Sequence, residues 1–232
     1  MIKITLQIMF CLLILSTEMF AGEKTIVMLG DSTTLCARNA TDKKITTLVQ
    51  NGLALKLKKA NTEFKVINSG VGGSTAKDAV ARLQTSVIAH KPDIVTISFG
   101  LNDTGNSTPE EFKKSLETMI ETIKKDSTAQ ILLITSTPFD NNTHAWKDKF
   151  AKEGGVDAVL NTKFCSEMRN LAVKHKIKIC DLHQKFEAEI KKDPSLIKKV
   201  LLPDGVHLTD EGNVLAAGFI VEEISKMVQG KK

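Results

Sequence analysis

Beyond residue 24 the chain alternates between short, unbroken apolar runs and longer stretches in which apolar residues recur every three or four positions. The runs cover 25–29, 64–68, 93–99, 130–135 and 176–180. Each is four to eight residues long and rich in Val, Ile and Leu, the pattern of a strand buried on both faces. Between them, Ile45, Leu48, Val49, Gly52 and Leu55 or Lys56 follow helical spacing. Thr75 with Asp78 three residues later forms a capping box, and Ala79, Leu83 and Val87 give the buried stripe behind it. Thr108-Pro109-Glu110-Glu111 is a second helix start, followed by Phe112, Leu116, Met119 and Ile123. Residues 156–174 read as helix, and 183–200 as less regular chain. A last helix begins near Thr209 or Asp210 and uses Val214, Ala217, Val221, Ile224 and Val228 for its core face. Strand and helix in alternation predict parallel βα units in one α/β domain. Residues 138–155 carry neither period and hold the sole tryptophan, Trp146, which predicts a long loop of functional interest.

The first 21 residues break this rhythm. A positive start at Lys3, an apolar run from Ile4 to Leu15 and a more polar stretch ending in Ala21 predict a secretory signal peptide cleaved after Ala21. The domain then spans 22–232, and the protein is expected to be secreted or periplasmic. The apolar run is too short for a comfortable membrane span, so no stable membrane partner is expected. Length adds one constraint: 232 residues suffice for a single domain with a full core. The net charge of +5 comes almost wholly from scattered lysines, with no tyrosine and no aromatic residues interleaved, so a nucleic-acid partner is not expected. Without the leader, Cys36, Cys165 and Cys180 remain. An odd count argues against a disulfide framework, although one bridge is open to an exported chain. No His/Cys spacing suits zinc, and no metal or other cofactor is expected.

Four polar stretches carry the chemistry. Gly30-Asp31-Ser32 follows the first strand, Gly72-Gly73 the second and Gly100-Leu101-Asn102-Asp103 the third; Asp204-Gly205-Val206-His207 precedes the last helix. In an open parallel sheet, ligands bind beyond the carboxyl ends of the strands, so Ser32, Gly73 and Asn102 should converge at one edge. Acyl transfer needs a nucleophile, a base, a group that orients the base and donors for the oxyanion. Ser32 Oγ can attack, His207 can take its proton and Asp204 can hold the imidazole. The backbone N–H groups of Ser32 and Gly73 and the side-chain amide of Asn102 can form the oxyanion hole. A histidine base works unprotonated, so activity should fall on acidification.

In order and spacing these stretches resemble the four sequence blocks of the SGNH (GDSL-type) esterase and lipase superfamily. The resemblance implies a three-layer α/β/α sandwich with a central five-stranded parallel sheet, of the flavodoxin-like kind, and no metal. It also implies Ser32 as nucleophile, His207 as base, Asp204 as its partner, and Ser32, Gly73 and Asn102 as oxyanion donors. The first block reads Gly-Asp-Ser-Thr-Thr rather than Gly-Asp-Ser-Leu, a variant similar to rhamnogalacturonan acetylesterases and related carbohydrate deacetylases. A secreted esterase that removes short acyl groups, acetyl above all, from a carbohydrate is therefore expected, with Asp31, Thr33 and Trp146 touching the substrate. The alternatives are a lysophospholipase or thioesterase-like acylhydrolase, or a non-catalytic carbohydrate-binding module. An α/β-hydrolase elbow, Gly-x-Ser-x-Gly, is absent, and so is a Walker phosphate loop.

Overall fold

The computed structural model describes residues 21–58 and 62–230. The predicted leader, apart from its last residue, lies outside them. Five strands form one parallel sheet in the order β2-β1-β3-β4-β5: β1 Ala21–Gly30, β2 Thr62–Gly70, β3 Ile94–Ser98, β4 Gln130–Ile134 and β5 Lys178–Cys180. Alternate residues of each run feed opposite faces. Val27, Leu29, Val95, Ile97 and Leu133 point to one core, and Ile26, Met28, Ile94, Leu132 and Ile134 to the other. With both faces buried, an apolar run has no polar side, which is why these strands carry no alternation. The three-layer α/β/α architecture matches the expectation.

The first core is covered by α3 (Ala76–Ser86), α5 (Pro109–Asp126) and α7 (Ser166–His175). Both expected capping boxes form, at Thr75/Asp78 and Thr108/Glu111. The second core is covered by α2 (Ile45–Lys56), α8 (Leu182–Lys192) and α10 (Asp210–Val228). Shorter α-helices lie among them: α1 (Ser32–Leu35), α4 (Leu101–Asn106), α6 (Val156–Val159) and α9 (Leu196–Val200). The expected helix over 156–174 is interrupted by a π segment, Leu160–Cys165, between α6 and α7.

Three expectations need correction. Residues 183–200 are mostly helical, because Asp181 caps α8 by accepting from the Gln184 N–H, and Leu182 and Phe186 bury one turn apart. In α2 the buried face uses Leu53, while Leu55 is 78% exposed. In α10, Val214 is half exposed, and Ala216 and Ile220 take its place in the core.

Register fixes where the polar stretches meet. Gly30 at the end of β1 lies opposite Gly70 of β2 on one side and Ser98 of β3 on the other. Ser32, Gly73 and Asn102 are thus two, three and four residues past one aligned row. Arg82 of α3 ties that row together, donating to the carbonyls of Ser69 at 2.8 Å and Gly30 at 3.0 Å. Gly70 has to be glycine here: a Cβ would sit 2.3 Å from the Leu35 nitrogen, so any side chain would push α1 off the sheet edge.

Candidate active site

The turn out of β1 presents Ser32 as the first residue of α1. Asp31 makes the turn. Its Oδ1 accepts from the Thr33 N–H and the Thr33 hydroxyl, both at 2.8 Å. Cys36 ends the helix after one turn, in the left-handed region at φ 51°, with its N–H on the Ser32 carbonyl. Ser32 is therefore held on a short turn whose side chain is free to face the strand ends.

Asp204 and His207 come from the other end of the chain on a closed loop. Leu201 and Leu208 form an antiparallel bridge, and the Leu202 N–H donates to the His207 carbonyl at 2.7 Å. Asp204 Oδ1 accepts from the backbone N–H groups of Val206 and His207, each at 3.1 Å. Its Oδ2 lies 2.8 Å from His207 Nδ1. The far ring nitrogen, Nε2, lies 2.9 Å from Ser32 Oγ. Hydroxyl, imidazole and carboxylate thus form one unbroken chain across 175 residues of sequence.

Burial works to raise the Asp204 carboxyl, but the backbone and ring N–H of His207 and the Val206 N–H overcome it and hold the group down at about 2. Arg38, exposed at the mouth of the site, donates to the same Oδ2. Nearby, burial pushes the His144 imidazole below its ordinary range, with the Asp204 charge opposing and His207 reinforcing that shift.

The expected oxyanion donors flank Ser32. Gly73 sits at φ +74° with open space where a Cβ would be, so the backbone there demands glycine and leaves room for an approaching oxygen. The Asn102 amide donates to the Ser74 carbonyl at 3.1 Å and lies 3.5 Å from Asp31 Oδ2. Asp103 clamps these parts in place: it accepts from the Ala76 N–H at 3.0 Å and the Gly100 N–H at 3.1 Å. Its burial pushes the carboxyl up to about 6. Ser32, Thr33, Gly73, Asn102 and His207, with Arg38, line a single cavity of about 350 Å³. A hydroxyl activated by an oriented imidazole, beside amide donors, is equipped for attack on an ester carbonyl.

Two residues expected to touch substrate stand elsewhere. Asp31 is 1% exposed, with its carboxylate turned to Thr33 and Asn102. Trp146 does not line the cavity. It packs against Gly105 so closely that a Cβ there would meet its ring at 2.5 Å, and it contacts His144 and Phe139. The ring anchors the long loop. Sequence reasoning missed Arg38, His144 and Asp103; only Asp103, beside Asn102 at a helix entry, carried a signal there.

Cys36, Cys165 and Cys180 are all free and buried. Cys36 borders the same cavity, yet burial pushes its thiol up, away from nucleophile character.

Known proteins place this arrangement in a family. Residues 28–215 match the model of the GDSL-like lipase/acylhydrolase family. An acetylxylan esterase of Geobacillus stearothermophilus is 24% identical over 163 residues, covering 69% of this chain and 72% of that protein. The uncharacterized lipoprotein YqeF of Bacillus subtilis (strain 168) is 28% identical over 166 residues, covering 63% and 68%. Among solved structures, the acetyl xylan esterase AlAXEase superposes with a TM-score of 0.71 at 25% identity, over 86% of this chain and 99% of that one. The chain belongs to the GDSL-like lipase/acylhydrolase family, within the SGNH hydrolases, and is a carboxylic ester hydrolase.

Proposed function

We propose that the protein is an exported serine esterase that removes short acyl groups, acetyl above all, from a carbohydrate. The observation that carries this reading is the chain from Ser32 Oγ through the His207 ring to Asp204, with spacings of 2.9 and 2.8 Å. Ser32 Oγ attacks the ester carbonyl carbon as its proton passes to His207 Nε2. The carbonyl oxygen becomes an oxyanion facing the N–H groups of Ser32 and Gly73 and the Asn102 amide. Collapse breaks the ester bond; the imidazolium returns its proton to the departing sugar oxygen and leaves an acyl-serine. Water, deprotonated by the same ring, attacks that ester, and the carboxylic acid leaves as Ser32 regains its proton. Asp204 keeps the imidazole in the required orientation and balances its charge during both halves.

A cavity of about 350 Å³ is near the lower end of ligand-site volumes, which favours a short acyl group. The acetylxylan esterase relatives favour a sugar alcohol as the leaving group. Export rests on the leader-like sequence of residues 1–21 and on the lipoprotein relative. Among the described residues no helix is long and apolar enough to cross a membrane. A second reading, an acylhydrolase for longer chains, draws on Leu35 and Leu208 in the cavity wall.

Acetate release from a panel of acetylated polysaccharides, beside a chain-length series of nitrophenyl esters, tests both. A steep preference for acetyl with release from polysaccharide is expected. Rising turnover from acetyl to octanoyl would overturn the carbohydrate reading in favour of the second.

A further inference from the structure

A second and larger cleft, of about 750 Å³, opens between residues 138–142 and α8. Asp140, Asp157 and Glu187 face it. Against its wall lies His183, a wholly buried histidine that the ester chemistry does not use. His183 Nε2 lies 3.1 Å from Asp157 Oδ1, an oxygen that also accepts the Phe139 N–H at 2.8 Å. A carboxylate can only accept, so Nε2 carries a ring hydrogen, and in the neutral imidazole Nδ1 then presents a lone pair. That Nδ1 makes no hydrogen bond, and it stands 3.4 Å from Glu187 Oε2 one helical turn along α8. Two acceptors facing one another beside a buried ring are costly unless something positive lies between them.

We propose that His183 Nδ1 and the Glu187 carboxylate bind a divalent transition-metal ion, with Asp157 orienting the imidazole. The spacing suits it: two ligand atoms about 2.0–2.1 Å from a tetrahedral ion stand about 3.4 Å apart. One ligand atom from each of Asp157, His183 and Glu187 lies within 4.8 Å of the others, so two carboxylates are close enough to balance the charge of a divalent ion. A carboxylate holding the far N–H of a metal-bound imidazole is a common supporting arrangement, and here it also fixes which nitrogen is bare. Mixed nitrogen and oxygen donors favour Zn²⁺, Mn²⁺ or Co²⁺ over Mg²⁺ and Ca²⁺. Water from the cleft completes the coordination. The sequence concealed the site because Asp157 stands 26 positions before His183 and reaches it only through the fold.

The ion braces the loop behind the ester site. Asp157 holds the Phe139 N–H and donates its own N–H to Asn141 Oδ1 at 2.9 Å. The Asp140 N–H in turn donates to the Gly205 carbonyl at 2.8 Å, beside Asp204. Asp157, the 138–142 segment and the Asp204–His207 turn are thereby linked in series. The site is independent of the Ser32 chemistry and stands whether or not that serine is the nucleophile.

The test is calorimetric titration of the chelator-treated full chain with Zn²⁺ and Mn²⁺, beside Mg²⁺ and Ca²⁺, in the wild type and in Glu187→Gln. Glu187 is exposed on α8, so the variant should fold. One ion per chain is expected at micromolar concentration, bound at least tenfold more weakly by the variant. At a hundredfold excess over the dissociation constant, the ion should raise the wild-type unfolding temperature by roughly 5 °C or more. No saturable binding, equal binding by Glu187→Gln, or equal affinity for Mg²⁺ and Ca²⁺ would each overturn the proposal. A variant that changes stability without any ion bound would mean that Nδ1 meets Glu187 through a proton instead.

Discussion

Two imidazoles in this molecule are held in the same manner and differ in what lies beyond them. In both, one ring nitrogen is fixed by a carboxylate: Asp204 at 2.8 Å for His207 and Asp157 at 3.1 Å for His183. Beyond His207 is the Ser32 hydroxyl, at 2.9 Å and in a cavity. Beyond His183 is a second carboxylate, at 3.4 Å with no hydrogen bond made. A hydroxyl brings its own proton, so the ring can serve as base and the oxygen as nucleophile. A carboxylate brings none, so the pair needs a cation between them, here the proposed metal ion. The oriented histidine is thus a generic device, and the third group decides its chemistry.

The comparison breaks first at Ser32. Ser32→Ala should lower acetyl-ester turnover by on the order of 10⁴-fold or more, with thermal unfolding little changed. Turnover at the wild-type level would remove the hydroxyl from its role and leave the two histidines functionally alike. Asn102→Ala should cost about 100- to 1000-fold in kcat, since it deletes one oxyanion donor. If KM rises while kcat holds, Asn102 binds substrate rather than the developing charge.

Carboxylates sharpen the contrast at the next level. Asp103 is pushed up to about 6 by burial, from an ordinary value of 3.8. Between about pH 4 and 6 the folded chain therefore holds a proton that the unfolded chain has lost, and stability falls as pH rises through that window. A shift of about two units corresponds to roughly 3 kcal/mol at most. Asp31, also raised by burial, acts in the same direction. Asp204 behaves oppositely: held at about 2, it supports the fold above about pH 4 and loses that contribution as pH falls through 2. Denaturant midpoints of Asp103→Asn across pH 4–6 should show a shallower slope than the wild type. An unchanged slope would mean that Asp103 is ionised in its buried clamp.

The ester site was legible because its parts lie next to elements with strong local signals. An apolar run ends at a glycine, a polar residue follows, and the β1 register with Gly70 and Ser98 does the rest. Helix phase was less legible. Leu53 and Leu55 are both apolar, and only packing of α2 against α10, with Val221 Cγ2 in reach of Gly52, decides which one turns inward. In α8 the buried face includes His183, a polar residue, so the apolar stripe looked broken. Tryptophan in a loop suggested a sugar platform, yet Gly105 provides a slot that the ring fills. Contacts between distant polar residues, Arg38 with Asp204 and Asp157 with His183, have no local signature at all.

Asp31 makes the smallest and most discriminating case. It adjoins Ser32 in sequence and was expected at the substrate, but its carboxylate caps α1 and stands 3.5 Å from the Asn102 amide. A residue that positions others should fail gradually. Asp31→Asn keeps an acceptor for the Thr33 N–H, so its unfolding temperature should stay close to the wild type. Asp31→Ala loses the cap, which costs about 1 kcal/mol, and frees the Asn102 amide to turn away from the oxyanion. Its kcat should fall by about tenfold, equivalent to ~1.4 kcal/mol of transition-state stabilisation, with KM for a small acetyl ester unchanged. The two variants together separate support from contact. If both raise KM alike, the carboxylate reaches substrate after all; if only Asp31→Ala loses kcat, the group acts through Ser32 and Asn102, as its burial implies.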